Sequence, residues 1–318
     1  MVASPRCGII LAAGEGKRLQ AFVQRMRGDR LPKQYLNLFG DRSMLQHTLA
    51  RAERLIQPQR IFTVVSRHHL NYPEVRQQLS AREIGTVVAQ PENKETAPGV
   101  LLPLAHLYKQ YPNSTVTVFP SDHFIAEEAL FMAHVDLACR LVESYPQYLV
   151  LLGIAPQTPE TDYGYIVPGK SIKHLEALAV RPVRQFREKP DLESAEAMMD
   201  AGGLWNTMVM IFRAQTLVEL IGRVSPRLHG FFERLCDAIG RKSERRVIEE
   251  NYRRLEPVNF STGILEPIAR DSRRLLVLPV RNVHWSDWGS ERRIAKTLET
   301  IGGHDGDRAV QTQASPIF

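Results

Sequence analysis

Along the first half of the chain, short runs of consecutive apolar, β-branched residues alternate with longer stretches of helical periodicity. The runs at 7–13, 61–66, 86–90, 115–120 and 148–154 predict strands. The stretches at 43–55, 97–111 and 127–145 predict the helices between them. Strand and helix alternating at this spacing imply crossover units, hence an α/β fold whose mostly parallel sheet is covered by helices on both faces. After residue 150 the pattern changes. Strands at 164–168, 180–188, 205–212 and 275–280 have longer, less regular connections, which predicts an added sheet region shaping a second pocket. Residues 228–254 read as a charged helical stretch, and those from Gly302 onward as a loose polar tail.

Composition changes this picture little. The chain has 318 residues, 43% hydrophobic and 24% charged, which suits one large globular domain and excludes fibrous and disordered classes. Its three cysteines, Cys7, Cys139 and Cys236, form neither an even disulfide framework nor a metal-type spacing. They read as core or incidental thiols of a reducing, cytoplasmic compartment. No apolar run is long enough to span a bilayer, and the short apolar run near the start ends in a glycine loop, as a strand does and a signal peptide does not. The net charge of +6 is scattered rather than clustered, so neither nucleic acid nor membrane is expected as a partner. A modest positive field still favours a small polyanionic substrate.

The first chemically informative segment is Leu11-Ala12-Ala13-Gly14-Glu15-Gly16-Lys17-Arg18, which follows a predicted strand directly. Gly14 and Gly16 let the backbone turn sharply and approach a ligand, the exposed N–H groups form an anion nest, and Arg18 adds a charged fork for phosphate oxygens. A purely structural βα turn is the plainer reading of the loop alone. Leu19 stands where a dinucleotide fingerprint needs its third glycine, and Arg18 stands where a Walker loop needs Ser or Thr. What remains is Gly-x-Gly-x-Arg followed by Pro32-Lys33-Gln34, in which the proline stiffens the chain so that Lys33 projects to a fixed point. Only nine lysines occur against 32 arginines, so this lysine stands out.

This pair of motifs resembles the sugar nucleotidyltransferases, and more closely the bacterial mannose-1-phosphate guanylyltransferases. The resemblance covers most of the chain. It continues through Pro91-Glu92-Asn93-Lys94-Glu95-Thr96-Ala97-Pro98, Phe119-Pro120-Ser121-Asp122-His123, Tyr163-Gly164-Tyr165-Ile166, Phe186-Arg187-Glu188-Lys189-Pro190-Asp191, Leu204-Trp205-Asn206 and Trp285-Ser286-Asp287-Trp288-Gly289-Ser290, in the family's order. It implies a Rossmann-like fold spanning 1–301, with a nucleotide-binding half at about 1–150 and a sugar-binding half at about 151–301. It also implies transfer of a nucleotidyl group from an NTP, GTP above others, to a sugar 1-phosphate, mannose 1-phosphate above others, with release of pyrophosphate. A homodimer fits this picture.

Each motif has a physical reading. Asp122 closes a predicted buried strand, where ligands sit in open α/β sheets, and an unpaired carboxylate there is costly. It is either a cation ligand or the cap of the next helix. Asp287, between Trp285 and Trp288, is either a second ligand or a turn residue. Two carboxylates plus phosphate oxygens and water suit Mg²⁺, and the resemblance makes both residues metal ligands. It places Leu11, Ala12, Ala13, Gly14, Gly16, Arg18, Lys33, Gln90 and Thr96 at the nucleotide. Thr96 also fits a helix N-cap. Gly164, Glu188, Lys189 and Asn206 fall at the sugar phosphate; otherwise Glu188 and Lys189 read as a surface ion pair and Asn206 as a buried structural amide. Arg18, Lys33, Asp122 and Asp287 are the expected catalytic residues. His68, His69 and His123 have no metal-type partners in sequence and read as surface or core histidines.

Several positions depart from the guanylyltransferase pattern. The loop has Ala-Ala-Gly-Glu-Gly-Lys-Arg instead of Ala-Gly-Gly-Ser-Gly-x-Arg, residues 20–30 look longer and more basic, as a mobile flap would, and no Asn precedes Thr96. Asn206 lacks the following Ser-Gly, and Phe260-Ser261-Thr262-Gly263 replaces a Ser-Ile-Asp-Tyr stretch. These bear on base and sugar preference more than on the chemistry. The rivals are a polyol-phosphate cytidylyltransferase and a non-catalytic nucleotide-sugar-binding subunit.

Overall fold

The computed structural model describes residues 4–271 and 273–302; the expected tail, beyond Gly302, lies outside the described residues. Among the described residues nine strands form one sheet: β1 (Arg6–Ala12), β2 (Ile61–Ser66), β3 (Val87–Gln90), β4 (Thr115–Pro120), β6 (Leu149–Ile154), β7 (Gly164–Pro168), β8 (Arg181–Glu188), β9 (Leu204–Arg213) and β10 (Leu275–Val280). Two short strands, β5 (Phe124–Ile125) and β11 (Trp285–Ser286), pair separately and antiparallel. The helices are α1 (Gln20–Arg27), α2 (Met44–Ala52), α3 (Pro73–Leu79), α4 (Thr96–Gln110), α5 (Glu128–Ser144), α6 (Leu192–Asp200), α7 (Ala214–Val224), α8 (Pro226–Ala238), α9 (Glu244–Arg254), α10 (Glu266–Asp271) and α11 (Glu291–Gly302).

The sheet order is β3-β2-β1-β4-β9-β6-β10-β8-β7. β1 pairs in parallel with β2 and β4, β2 with β3, and β6 with β10, whereas β9 runs antiparallel to β4 and β6, and β8 antiparallel to β10 and β7. Alternation along β1 shows why the strands read as unbroken apolar runs. Ile10 and Ala12 pack into one core with α2, α3 and α5, and Cys7 and Ile9 into another with α4, α7, α8 and α9. Helices therefore cover both faces, as the α/β expectation requires. The buried thiols of Cys7 and Cys139 are pushed up to about 11 by loss of hydration. Among the described residues no helix is long and apolar enough to cross a membrane.

Four expectations change in detail. Strands of the second half do not stand beside the sheet: β9 is its central antiparallel member, and β10 lies against β6. The stretch 228–254 is two helices, α8 and α9, separated by a turn at Gly240, whose φ is 83°. Residues 20–27 form α1, closed by Gly28 in the left-handed region at φ 80°, so this segment is a helix and not a flap. The two-stranded sheet β5/β11 has no counterpart among the expected elements.

The β6–β9 pairing shifts register between Leu151 and Gly153, and Gly153 stands opposite Asn206. A Cβ on Gly153 would lie 2.9 Å from the Cβ of Leu204 and 3.0 Å from Cγ2 of Val277. The bare glycine is what allows the end of β9 to lie this close. Gly153→Ala should therefore cost about 1–3 kcal/mol of stability, read by chemical denaturation.

Candidate active site

Strands β1 to β4 run in one direction, so their carboxyl ends meet at one edge of the sheet. Lys33 lies there in a helical turn over Lys33–Tyr35, entered through the extended Pro32. Its side chain is 8% exposed. The ammonium Nζ stands 3.0 Å from Oδ2 of Asp122 and donates to the carbonyl oxygens of Asp287 at 2.6 Å and Trp288 at 3.2 Å. Asp122 follows β4, and the β5/β11 pairing brings the Asp287 loop over it. Burial works against the Asp122 carboxylate, but Lys33 and then His123 outweigh it and hold the group below the usual carboxylate range. The three residues thus meet although the chain separates them by up to 254 positions.

The Asp287 carboxylate is held from several sides. Its Oδ1 accepts from the Tyr163 hydroxyl at 2.9 Å, from the Gly289 amide at 2.9 Å and from Arg293 Nη1 at 3.1 Å. The Gly289 bond spans two residues, so Asp287 is a turn residue whose carboxylate also bonds across the fold. Its Oδ2 faces Arg18 Nη2 at 3.6 Å. Arg18 also pairs with Asp162 at 2.9 Å and keeps half of its side chain exposed. Arg293 packs over the Tyr163 ring at 4.5 Å and reaches Glu160 at 2.8 Å. Burial disfavours its charge, but Glu160 and Asp287 more than restore it. Burial and the Asp287 carboxylate together raise the Tyr163 hydroxyl pKa, so it remains a donor.

On one side of this cluster, Leu11, Ala13, Gly14, Gln90 and Thr96 line a cavity of about 170 Å³ together with Val64, Asn93, Glu95 and Gly99. Gln34 ties the loop down: its side-chain amide donates to the carbonyls of Ala12 at 2.9 Å and Gly14 at 2.8 Å. Gly16 takes φ 60°, and the Lys33 backbone lies 3.4 Å from where its Cβ would be. The Gln90 side chain is 2% exposed, and its Oε1 has no partner. An unsatisfied acceptor buried in a cavity is a group waiting for a donor. Thr96 is not the N-cap: α4 begins with it, after Glu95 at φ 68°. Its Oγ1 instead accepts from the Phe260 amide at 2.7 Å, beside bonds from Ala97 N to Val258 O and from Val258 N to Lys94 O.

On the other side, Gly164 stands opposite Glu188 across β7/β8. A Cβ on Gly164 would lie 2.6 Å from Glu188 Oε2 and 3.4 Å from the Asn206 Cβ, so only glycine leaves these side chains room. Burial raises the Glu188 carboxyl pKa with help from Glu266, against the pull of Ser261 and Lys189. Asn206 is 6% exposed, and its Nδ2 has no partner. The Trp205 indole and the Tyr165 hydroxyl are buried beside each other. Lys189 sits in the left-handed region at φ 46°, its amide bonded to the Tyr163 carbonyl at 3.1 Å. Tyr163 joins this side to the centre, since its ring lies 4.8 Å from that of Trp205 while its hydroxyl holds Asp287.

All the expected residues are thus gathered along one edge in three adjoining groups. Several left-handed non-glycine residues, Glu95, Lys189, Met208 and Trp288, fall in or next to these groups. Backbone strain of this kind collects at functional sites. Reading the sequence missed Tyr163, Gln34, Asp162 and Arg293 as site residues. The first two lay inside quoted motifs; Arg293 gave no signal in a run of charged helix residues. The histidines fall at the surface (His68) and in the interior (His69, His123), as read, and folding adds contacts that spacing does not show: His123 Nδ1 accepts from Trp285 Nε1 at 3.2 Å and its Nε2 lies 3.9 Å from Asp122, and Glu15 comes beside His68 and His69. Because Tyr163 donates to a charged acceptor, Tyr163→Phe should lower stability by about 1.5–3 kcal/mol in chemical denaturation.

Comparison with known proteins identifies the family. The profile of the family described as Nucleotidyl transferase matches residues 7–301. A mannose-1-phosphate guanylyltransferase of Salmonella montevideo is 31% identical over 290 residues, covering 89% of this chain and 58% of its own length. The xanthan biosynthesis protein XanB of Xanthomonas campestris pv. campestris (strain B100) is 29% identical, covering 94% of this chain and 61% of its own. The chain therefore spans about three fifths of these relatives. A crystal structure from Thermus thermophilus, described as a mannose-1-phosphate geranyltransferase, is 28% identical with a TM-score of 0.73, covering 89% of this chain and 76% of that one. With the profile match running through β1, the Lys33 turn, β4 and the Asp287 loop, the chain belongs to the nucleotidyl transferase family.

Proposed function

We propose that the protein transfers a guanylyl group from GTP to mannose 1-phosphate, giving GDP-mannose and pyrophosphate. The observation that carries this reading is the Lys33–Asp122–Asp287 cluster, set between a small cavity with an unpaired Gln90 acceptor and a second recess with an unpaired Asn206 donor. The names of the relatives support guanylyl and mannose among the possible bases and sugars.

Carboxylate oxygens suit a hard dication, which would compete here with Lys33 for Asp122 and with Arg18 and Arg293 for Asp287. Asp122 and Asp287 offer carboxylate oxygens at the carboxyl edge of the sheet, and Asp122 is still one third exposed there. Mg²⁺ would be held by these two residues and would supply neutralising charge at the phosphoryl oxygens. The protein's own residues do the rest. The cavity lined by Leu11, Ala13, Gln90 and Thr96 receives the base, with Gln90 Oε1 accepting from it. Ala12, Gly14 and Gly16 shape the turn under the triphosphate. Arg18, only half covered, exchanges Asp162 for the β and γ phosphates. Lys33, fixed by three oxygens, presents its charge to the α-phosphoryl group.

Glu188, Lys189 and Asn206 hold the sugar phosphate in the space that Gly164 leaves open. The attacking oxygen belongs to the sugar phosphate, whose second ionisation lies at about pH 6, so it is charged at neutral pH and needs no general base. What the site must overcome is repulsion between two anions and their misalignment, and fixed charges do both.

Incubation with Mg²⁺, each NTP in turn and a panel of sugar 1-phosphates, followed by pyrophosphate release, tests the reading. GTP with mannose 1-phosphate should turn over fastest. CTP with a polyol phosphate, or binding without turnover, overturns it. Lys33→Ala and Asp122→Ala should each lose about 10²–10³ in rate while remaining folded, read by circular dichroism, at a lowered denaturation midpoint. Near-normal turnover by either purified variant removes the assigned roles.

A further inference from the structure

Glu15 lies between the two glycines of the phosphate loop, and the fold turns its carboxylate toward His68 and His69, in the helical turn Arg67–Asn71 that follows β2. Its Oε2 is 3.0 Å from His68 Nε2, and its Oε1 is 3.7 Å from His69 Nε2. One ligand atom from each of the three residues lies within 4.8 Å of the others.

Proton positions show what this cluster lacks. The Tyr35 hydroxyl donates to the Ala12 carbonyl at 2.9 Å, which uses its single proton. His69 Nδ1, 3.3 Å from that hydroxyl oxygen, is therefore the donor of the pair. In a neutral ring this leaves Nε2 as a bare lone pair. His69 is fully buried, and its Nε2 has no hydrogen-bond partner. A lone pair thus faces a carboxylate oxygen inside the protein with no proton between them. His68 differs: its Nδ1 accepts from the Ser66 hydroxyl at 2.8 Å and its Nε2 donates to Glu15 Oε2 at 3.0 Å, a proton that a metal ion would displace. An imidazole anchored through one nitrogen with the other turned to a shared point is the usual arrangement of a metal-binding histidine.

We propose that Glu15, His68 and His69 form a second metal site, for Zn²⁺ or a transition-metal dication of similar ligand preference. Two imidazoles and one carboxylate suit such ions, whereas Mg²⁺ prefers oxygen alone. In a tetrahedral site with bonds of about 2.0–2.1 Å, ligand atoms stand about 3.3 Å apart; the three here, all within 4.8 Å of one another, would close by at most about 1.5 Å on binding. Three protein ligands leave one position open to water or to an anion. Because Glu15 is flanked by Gly14 and Gly16, a cation here fastens the phosphate loop to the end of β2. This inference does not depend on the identity of the substrates.

The test uses tag-free, chelator-treated full-length protein, titrated with ZnCl₂ by calorimetry and with Co²⁺ by visible absorption, in the presence of excess Mg²⁺ to fill oxygen-only sites. Wild type should bind one equivalent of Zn²⁺ and show the strong visible bands of four-coordinate cobalt. His68→Ala, at a half-exposed position, and Glu15→Gln should each weaken Zn²⁺ binding at least about tenfold and abolish those bands. The proposal is overturned if wild type takes up no Zn²⁺ under these conditions, or if both variants bind it as wild type does.

Discussion

A nearly buried ammonium group organises the active edge of this molecule. Lys33 brings a charge into a place where a charge is costly, and three oxygens from two distant stretches offset that cost. One of those oxygens is the Asp122 carboxylate at the end of a central strand. The other two are main-chain carbonyls at 287 and 288, so the loop cannot leave without stranding the ammonium. The small β5/β11 pairing and the stack of Phe124 on Trp288, 5.0 Å apart and 7° from parallel, hold the same loop from outside. The charge is unfavourable where it stands, and that is what fixes the geometry.

Around this centre the polar groups divide into those that are satisfied and those that are not. The satisfied ones frame the site: Gln34 on the Ala12 and Gly14 carbonyls, and Tyr163, Gly289 and Arg293 on Asp287. Two that are not, Gln90 Oε1 and Asn206 Nδ2, lie on either side. The large apolar groove behind Trp288, about 760 Å³ and lined by Phe39, Phe124 and Leu130, has a different character and lies outside this set.

Much of the fold was legible because strands covered on both faces are nearly continuous apolar runs. The bounds of β2, β4, β7 and β10 agree with the sequence reading to the residue. Sheet order was not legible. That β9 would insert between β4 and β6 depends on pairing, and local pattern carries no record of pairing. α1 reads as a flap because Arg25, Arg27 and Arg30 obscure the periodicity, which rests on Val23 alone among its buried positions. In the site, the residues named by motif are those whose chemistry shows in their type: Lys33, Asp122, Asp287, Glu188. Arg293 and Asp162 work only through contacts between segments about 130 residues apart, which no local window contains. The Glu15–His68–His69 cluster escapes a reading of the sequence for the same reason.

The lacing between α4 and residues 258–260 joins the two ends of the cleft. Thr96 Oγ1, the Ala97 amide and the Lys94 carbonyl each bond to this short segment. It leads at once into a π-helical turn at Ser261–Leu265, whose first residue reaches Glu188. The wall of the cavity at Thr96 and the ground beneath Glu188 are therefore joined by one short segment. A change at Thr96 is felt at Phe260 and, through Ser261, at Glu188 on the far side of the cleft.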